Sequence, residues 1–425
     1  MSFINLEELS FKDSPQLSAQ GKLRVATSYS LFDSQQDYGL DTTTLWTATA
    51  NGTIAALSTN ASVTNGSNAV GPMDTNTRAT PITVSTTDTH YSVLQSIQYL
   101  RCLPGNSHSL YITGVFAAGS GATVSICSRS STTGSVVDTE IVQSSWNVDK
   151  FDGTGVSGIT LDFTKSQALF VDAQMLYAGR VRVGFDIGGT VYWAHYFNAS
   201  NTLSSPTMQT FNLPIRMEGR TGPSSTSFRV GYFDSANGVF LKTTRTTKGG
   251  TIQFFTCSAQ ADTIDQMRGS LRTAPVSTTT VSVTTRRPVL SLRPKSTFNG
   301  VVNRAHIDEI ECAIRATGND ALYEIVVGGT LTGAAFTSAG TNSIAEYDTS
   351  ATAISGGLVL KSGFAISGSG SSAQVGDITV DIRNPLVLNK IDSLTEIQTV
   401  ISIVCTSFSA TSTIAPAMNW HEKLI

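Results

Sequence analysis

An alternating pattern between residues 177 and 220 constrains the fold of this chain more than any other feature of its sequence. Apolar side chains first recur at every second position, at Val181, Val183, Phe185 and Ile187. The pattern then resumes after Gly188-Gly189, at Val191, Trp193, His195 and Phe197. A period of two places side chains on one face of a strand, and two glycines tolerate the positive φ of a tight turn. The sequence therefore predicts a β-hairpin with both sets of side chains on one inward face.

Such a hairpin is marginally stable by itself, so it requires a larger sheet and a second layer to cover it. Further short β-prone runs occur along the chain between turn dipeptides such as Asn51-Gly52, Asn65-Gly66 and Asn237-Gly238. No repeat of fixed period is present, which disfavours a solenoid or a propeller. The sequence therefore predicts an all-β protein built of antiparallel β-sandwich or jelly-roll-like domains with an N-terminal arm.

The length of the chain predicts more than one domain. A chain of 425 residues exceeds the usual size of a single hydrophobic core. Residues 272–300 are rich in Thr, Ser and Pro, which is typical of a domain boundary or a long surface connection. We therefore expect a docking arm at residues 1–34, a larger β-sandwich domain at 35–290 and a second β domain at 291–425.

The N-terminal segment carries apolar side chains that are too few to form a core, at Phe3, Ile4, Leu6, Leu9 and Phe11. A short helix or an extended segment docked on another surface would bury them. These five residues are therefore the candidate contacts of a docking arm. The alternative is a frayed terminus without a partner.

Composition narrows the class of partner. Charged residues make up 14% of the chain, compared with roughly 25% in an average soluble domain. Few exposed charges mean weak repulsion between neighbouring copies. The net charge is −3, whereas a protein that binds duplex nucleic acid is usually basic. We therefore expect no direct contact with nucleic acid.

The cysteines and the N-terminal residues indicate the cellular compartment in which the protein is made. Five cysteines lie far apart without a C-x-x-C pair, which argues against a disulfide framework or a zinc site. Buried, reduced thiols in a protein made in a cytoplasm are expected instead. Glu7, Glu8 and Asp13 interrupt the region where a signal peptide needs an apolar run, and no window of 18 residues is apolar. We therefore expect neither secretion by a signal peptide nor a membrane span.

Motifs that carry chemistry are sparse. The histidines show no metal-ligand spacing, and His195 on the hairpin is expected to be a core residue with a satisfied ring. Glu309 and Glu311 would share one face of a strand, with Asp308 on the other. Paired carboxylates suit glycoside hydrolysis, although a solvated or ion-paired strand face is far commoner. No phosphate-binding loop occurs, so we expect no cofactor, no metal site and no catalytic residue.

Two tyrosines of the hairpin are the candidate contact residues of its outer face. Tyr192 and Tyr196 alternate with Trp193 and His195, so the period of two places them opposite the inward set. There they would meet a second subunit, a sugar or water. A contact between subunits is the preferred interpretation of the three.

Several segments together resemble virion proteins of tailed bacteriophages, in the same order along the chain. They are GKLRVATSYSLFDS (21–34), the block from GITLDFTKS to NLPIRMEGR (158–220), FRVGYFDSANGVFL (228–241) and SIAEYDTSATAISGGLVLKSGF (343–364). Each segment is weak by itself, whereas the ordered set is fairly specific and covers most of the chain. The family is poorly characterised and supplies no catalytic motif to transfer.

The resemblance implies a non-enzymatic structural protein of the phage particle, of the fibre, appendage or tail-associated kind. Its partners would be further copies of itself, in a trimer or a ring, and other virion proteins. The protein would be made in the host cytoplasm and would reside in the virion. One alternative is a fibre-tip module that binds a host surface glycan, and a second is a polysaccharide depolymerase that uses Glu309 or Glu311.

Overall fold

The computed structural model describes residues 29–102, 106–174, 176–261, 269–274, 277–367, 376–380, 388–390 and 396–423. Regular structure in these ranges consists of β-strands and one 3-10 turn at Gln143–Ser145, so the predicted all-β fold class is confirmed. Within the same ranges, no helix is long and apolar enough to cross a membrane. The predicted contacts of the arm, Phe3 to Phe11, lie outside the described residues.

The chain divides into two compact units, whose described residues fall within 29–261 for the first and within 269–423 for the second. In chain order the strands of the first unit are β1 (Tyr29–Gln35), β2 (Trp46–Ala50), β3 (Thr53–Ile54), β4 (Val63–Asn65), β5 (Asn68–Val70), β6 (Thr80–Val84), β7 (Tyr91–Ser96), β8 (Ser107–Val115), β9 (Thr123–Ser130), β10 (Val137–Val142), β11 (Gln167–Gln174), β12 (Arg180–Ile187), β13 (Thr190–Asn198), β14 (Ile215–Thr221), β15 (Thr226–Phe233), β16 (Gly238–Arg245) and β17 (Gly250–Ala261).

These strands form two antiparallel sheets. Sheet 1 has the order β13-β12-β11-β8-β17-β6-β5-β4, and β1 also pairs with β17. Sheet 2 has the order β10-β9-β16-β15-β14-β7-β2-β3. One face of each sheet contributes to a common core, in which Trp46 of sheet 2 contacts Phe32 and Phe254 of sheet 1, each at 5.3 Å between ring centroids. The first unit is therefore a β-sandwich.

The second unit contains β18 (Ser270–Thr273), β19 (Thr279–Val281), β20 (Arg287–Pro294), β21 (Thr297–Phe298), β22 (Val301–Val302), β23 (His306–Thr317), β24 (Ala321–Val327), β25 (Thr330–Thr332), β26 (Thr337–Ser338), β27 (Ala345–Asp348), β28 (Ala353–Ser355), β29 (Leu358–Ala365), β30 (Gly376–Val380), β31 (Leu388–Lys390), β32 (Glu396–Gln398), β33 (Ile401–Ser407) and β34 (Ser412–Lys423). Sheet 3 has the order β18-β34-β23-β30, with β19 also on β34, and sheet 4 has the order β26-β27-β20-β33-β24-β29. Both sheets contribute to a second core around Trp420.

The second unit begins earlier in the chain than the sequence predicted. The predicted boundary at residue 290 falls inside β20, and the second unit already includes β18 and β19. The physical reason is long-range pairing, since β18 and β19 both pair with the C-terminal strand β34. Residues 29–34, predicted as part of the arm, belong to β1 and pair with β17.

The central hairpin forms as β12 and β13, but its second strand contains a β-bulge. Gly188 and Gly189 adopt φ values of 63° and 84° in the turn, as predicted. Val183 pairs with His195 and Gly184 pairs with Trp193, so the intervening Ala194 has no partner on β12. This extra residue shifts the alternation by one, so the side chains before Ala194 point to the face opposite the predicted one.

The bulge makes the predicted inward face wrong at two of its eight positions, both on β13. Val181, Val183 and Phe185 lie in the sandwich core, as expected. Val191 and Trp193 instead pack with Phe170 in a separate cluster outside that core. Side chains alternate between the two faces before Ala194 and again after it, but the alternation does not continue through Ala194 itself.

Candidate functional site

Tyr192 and Tyr196, predicted to share the outer face, lie on opposite faces of sheet 1. Tyr192 pairs with Phe185 and packs against the sandwich core. Tyr196 packs beside Trp193, with 6.2 Å between the ring centroids, and the Arg180 guanidinium lies 4.9 Å from the Tyr196 ring. The predicted two-tyrosine contact face is therefore not formed, because the bulge at Ala194 separates the two positions.

The outer side of the hairpin carries a packed aromatic and ionic cluster. Phe170 lies between Tyr111 and Trp193, at centroid distances of 4.3 Å and 5.2 Å. The Arg182 guanidinium lies 4.4 Å from the Trp193 ring and donates to Asp172 Oδ2 at 2.6 Å. Both members of this ion pair are fully buried. Trp193, Arg182 and Asp172 therefore serve the packing of the unit and are too enclosed to stack on a sugar.

A loop closes the edge of sheet 1 at β13. The Asn147 side-chain amide donates to the Tyr196 carbonyl at 3.0 Å and accepts from the Tyr196 N–H at 2.9 Å. The backbone N–H groups of Val148 and Asp149 both donate to the Ala194 carbonyl, at 3.1 Å and 3.2 Å. An unpaired edge strand invites pairing with another chain, and these contacts occupy it beside the bulge.

His195 also holds this loop in place. Its Nδ1 accepts the Asn147 N–H at 3.2 Å, so the ring is neutral there and carries its proton on Nε2. Burial lowers the pKa of His195 to about 4. The expectation of a buried histidine with a satisfied ring is confirmed, and the ring's contact is with a backbone amide.

The acidic residues of β23 lie at a second bulge, between Asp308 and Glu311. Glu309 adopts φ 49°, a left-handed conformation that non-glycine residues adopt uncommonly. Its Oε2 lies 2.8 Å from His421 Nδ1, and Asp308 Oδ2 lies 2.7 Å from Lys423 Nζ. Two of the three carboxylates thus face basic partners, as the ion-paired interpretation expects. Among the described residues, no group of three or more His, Cys, Asp or Glu side chains could hold a metal ion.

An exposed apolar patch lies on the edge of sheet 4, and sequence reasoning missed it. Phe364, Ile366 and Phe408, together the Phe364 patch, are 68%, 53% and 55% exposed. The rings of Phe364 and Phe408 are in contact, with 5.6 Å between centroids. β29, which contains Phe364, is the last strand of the sheet order. Because Gly363 and Ala365 alternate with Phe364 and Ile366, small side chains lie where a strand normally buries large ones, and this reversal was the available signal.

The outer face of sheet 2 carries a network of buried charges. Glu218 on β14 accepts hydrogen bonds from Arg216 at 2.5 Å, from Arg220 at 3.2 Å and from Arg229. Burial acts to raise the pKa of Glu218, but the nearby guanidinium groups of Arg216, Arg220 and Arg229 outweigh it and hold the pKa well below 4.5. Glu218 is therefore ionised at neutral pH within a surrounding of arginines.

Aromatic rings extend this network towards the edge strands. Phe233, Phe240 and Cys127 form a buried cluster separate from the sandwich core. The Arg129 guanidinium lies 5.1 Å from the Phe240 ring and donates to Asp138 at 2.7 Å. We call the surface formed by Glu218, its three arginines, Arg129 and this cluster the arginine face. Burial raises the pKa of the Cys127 thiol to about 12, which keeps it protonated and unreactive.

Comparisons with known proteins leave the family open. No protein-family model and no curated protein matches the chain. The solved structures with weak likeness include the lectin from Bauhinia forficata in complex with GalNAc, with 11% identity over 55% of this chain and 98% of that chain, at a TM-score of 0.17. The infectious bursal disease virus structure (Gx strain) has 11% identity over 94% and 74% of the two chains, at a TM-score of 0.21. A triple jelly-roll turret protein of an archaeal virus has 9% identity over 96% and 97%, at a TM-score of 0.20. TM-scores this low carry no argument about function, so the resemblance to tailed-phage proteins stays a prediction.

Proposed function

We propose that this chain is a non-enzymatic structural component of a virus particle, of the tailed-phage kind, that assembles with copies of itself and with neighbouring particle proteins. The observation that carries the assembly role is the Phe364 patch. The phage assignment is supported by the ordered set of resembling segments and by the low content of charged residues.

The Phe364 patch is costly to leave in water. Two phenylalanine rings in contact with each other are both more than half exposed. Burying the exposed part of each would contribute more than half of the about 1.5–3 kcal/mol that full burial of such a side chain provides. Contiguous apolar surface of this kind marks contacts with other proteins more often than single exposed residues do. A second copy of the chain is the proposed occupant, because a particle protein repeats around a symmetry axis.

The position of the patch adds to the argument. Among the described residues β29 is the last strand of sheet 4, and an edge strand offers backbone N–H and C=O groups that a neighbouring strand can pair with. The edge strand β13 of sheet 1 differs, because the loop at Asn147 forms hydrogen bonds with its backbone. One edge of the chain is thus protected from pairing, whereas the edge at β29 carries exposed phenylalanine.

Light scattering on purified protein tests the proposal. The parent should form an oligomer at micromolar concentration, and Phe364→Ser with Phe408→Ser should lower its mass to that of a smaller species. The matched control is Tyr38→Ser, which removes an aromatic ring that is 91% exposed in the first unit and should leave the mass unchanged. Equal masses for the parent and the double variant would overturn the assembly role of the patch.

The enzyme and glycan alternatives have separate readouts. Release of reducing sugar from a polysaccharide, abolished by Glu311→Gln, would overturn the non-enzymatic assignment. A glycan-array signal without turnover, lost in Tyr196→Ala, would instead place a receptor-binding role on the outer side of the hairpin. Neither result is expected, because Trp193 beside Tyr196 is buried and Glu309 already faces His421.

A further inference from the structure

The chain contains four Asn-Gly dipeptides, which begin at Asn51, Asn65, Asn237 and Asn299. Asparagine is chemically labile, and glycine after it favours reaction, because no Cβ hinders the approach of the next backbone nitrogen to the side-chain carbonyl carbon. The four dipeptides are identical in sequence, whereas their surroundings in the structure differ. Hydrogen bonding and exposure therefore decide which of them reacts.

The reaction is an intramolecular substitution. The backbone nitrogen of the glycine bonds to the asparagine Cγ, the Cγ–Nδ2 bond breaks, and ammonia leaves with the proton of the glycine N–H. Water then opens the resulting cyclic imide to aspartic or isoaspartic acid, which ionises at neutral pH. Nothing is oxidised or reduced, and water is the only co-reactant. Because the side-chain amide must rotate onto the following nitrogen, hydrogen bonds that hold the amide or the adjoining backbone oppose the reaction.

Asn237 is locked in place. It is fully buried, and its Oδ1 accepts the Gln209 N–H at 3.0 Å. Its own N–H donates to Asp234 Oδ1 at 2.7 Å. Gly238, which would supply the attacking nitrogen, begins β16 and pairs with Phe233. Rotation of the amide would break buried hydrogen bonds, so this site should be slow.

Asn51 and Asn65 are restrained by a shared set of hydrogen bonds. Asn65 Nδ2 donates to the Asn51 carbonyl and to Thr53 Oγ1, both at 3.0 Å. The Asn65 carbonyl accepts from Asn68 Nδ2 at 3.0 Å. The Asn51 N–H donates to the Tyr91 carbonyl at 2.8 Å. The side chain of Asn65 and the backbone of Asn51 are therefore both held, and both sites should also be slow.

Asn299 lacks these restraints. It is exposed, and with Gly300 it forms the turn between β21 and β22, at φ values of 50° and 78°. Among the described residues, no hydrogen bond involves the Asn299 side chain or the Gly300 N–H. In the same part of the chain, β21 and β22 pair only with each other, through two residue pairs. So short a ribbon is marginally stable, and its turn can open without disturbing sheets 3 and 4.

The base of this ribbon is anchored, so opening is confined to the turn. Phe298 packs against the second core. Asn303 Nδ2 donates to the Lys295 and Ile344 carbonyls, at 2.9 Å and 3.0 Å. Reaction at the turn should therefore leave the second unit folded.

We propose that Asn299-Gly300 is a site of spontaneous modification, at which asparagine is converted to aspartate and isoaspartate, and that the fold protects the other three Asn-Gly sites. Each conversion adds a negative charge at the exposed turn. Isoaspartate also adds a methylene group to the backbone, which a tight hairpin turn does not accommodate. The modification is independent of the proposed particle role, so either proposal can fail without the other.

Peptide mapping by mass spectrometry tests the proposal on the full chain, incubated in its folded state in mildly alkaline buffer and sampled over time. Conversion at Asn299 should be at least about tenfold faster than at the other three sites, which corresponds to a barrier lower by about 1.4 kcal/mol. Equal rates at Asn299 and Asn237 in the folded protein would overturn the proposal.

The same chain unfolded in urea is the control for the role of the fold. All four sites should then convert at similar rates, because only the identical local sequence acts. If Asn299 were as far ahead of the other sites in urea as in the folded protein, the fold would not be the cause and the proposal would be wrong.

Thr53→Ala tests the protection by hydrogen bonding without removing a buried contact. Thr53 is exposed, and its loss removes one of the two acceptors of the Asn65 amide. Conversion at Asn65 should accelerate by about two- to tenfold, the factor that corresponds to one hydrogen bond, while Asn299 keeps its rate. Thr64→Ala, at an exposed threonine beside Asn65, is the matched control and should leave both rates unchanged. An unchanged rate at Asn65 in Thr53→Ala would overturn the assigned protection.

Discussion

Gly184 lies directly opposite Trp193 in the central hairpin, and the indole occupies the space that a side chain at Gly184 would need. A Cβ at this position would lie 3.1 Å from Trp193 Cε3 and 2.4 Å from the Tyr192 carbonyl oxygen. The bulge on β13 directs the Trp193 side chain outward over residue 184, so this position on β12 requires a glycine.

Gly184→Ala should destabilise the protein by about 1–3 kcal/mol, since a backbone carbonyl cannot move aside as a flexible side chain can. Urea unfolding monitored by circular dichroism measures this difference. Gly222→Ala is the control, because its Cβ would meet only ordinary contacts at 3.7 Å or more. Equal midpoints for the two variants would show that Trp193 does not lie over residue 184.

The edge protection at β13 makes a second prediction. Asn147→Ala removes the two hydrogen bonds to the Tyr196 backbone and should cost about 1–2 kcal/mol. It also uncovers an edge strand, so aggregation on heating should begin earlier than in the parent. Asn198→Ala, at an exposed position of the same strand, is the comparison for thermal light scattering. If both variants aggregate like the parent, the loop does not protect this edge.

His195 should make stability depend on pH. Burial lowers its pKa from 6.5 to about 4, so the unfolded chain binds a proton at a pH where the folded chain does not. Stability is therefore present above pH 6.5 and falls as the pH falls towards 4, by at most about 1.4 kcal/mol per pH unit. Denaturant unfolding between pH 7 and pH 4.5 measures the slope. His195→Gln should flatten it, and an unchanged slope in that variant would assign the effect to other groups.

The charge network of sheet 2 should be sensitive to its one central carboxylate. Glu218→Gln leaves buried guanidinium groups without their counter-charge and should cost about 3–5 kcal/mol. Glu140→Gln is the matched control, because its partner Lys242 and Glu140 itself are partly exposed, and such pairs contribute about 0–1 kcal/mol. Equal unfolding midpoints would mean that Glu218 is not the centre of the network.

The local pattern of apolar residues and glycines predicted the fold class and the hairpin turn. The features that sequence reasoning missed depend on pairing between residues that are distant in sequence. Val181 and Val183 follow the period of two, and Gly188-Gly189 supplies the turn that these strands need. The bulge at Ala194 has no signal in its own residue type, so the faces of Tyr192 and Trp193 were exchanged.

The unit boundary and the candidate surfaces depended on partners that are distant in sequence. β18 and β19 could not be assigned to the second unit without their pairing to β34. Glu218 looks like an ordinary charged residue until β15 brings Arg229 beside it. At Phe364 the order of large and small residues was visible, but its meaning required knowing which face of sheet 4 is covered.

A density map of purified particles of the virus that encodes this chain tests the structural role most directly, together with mass spectrometry of the same particles. We predict that the chain occupies symmetry-related positions, with Phe364 and Phe408 covered by a neighbouring copy. Particles of full infectivity that contain no peptide of this chain would contradict the role itself. A map in which both phenylalanine rings face solvent would contradict the assignment of the Phe364 patch as the contact between copies.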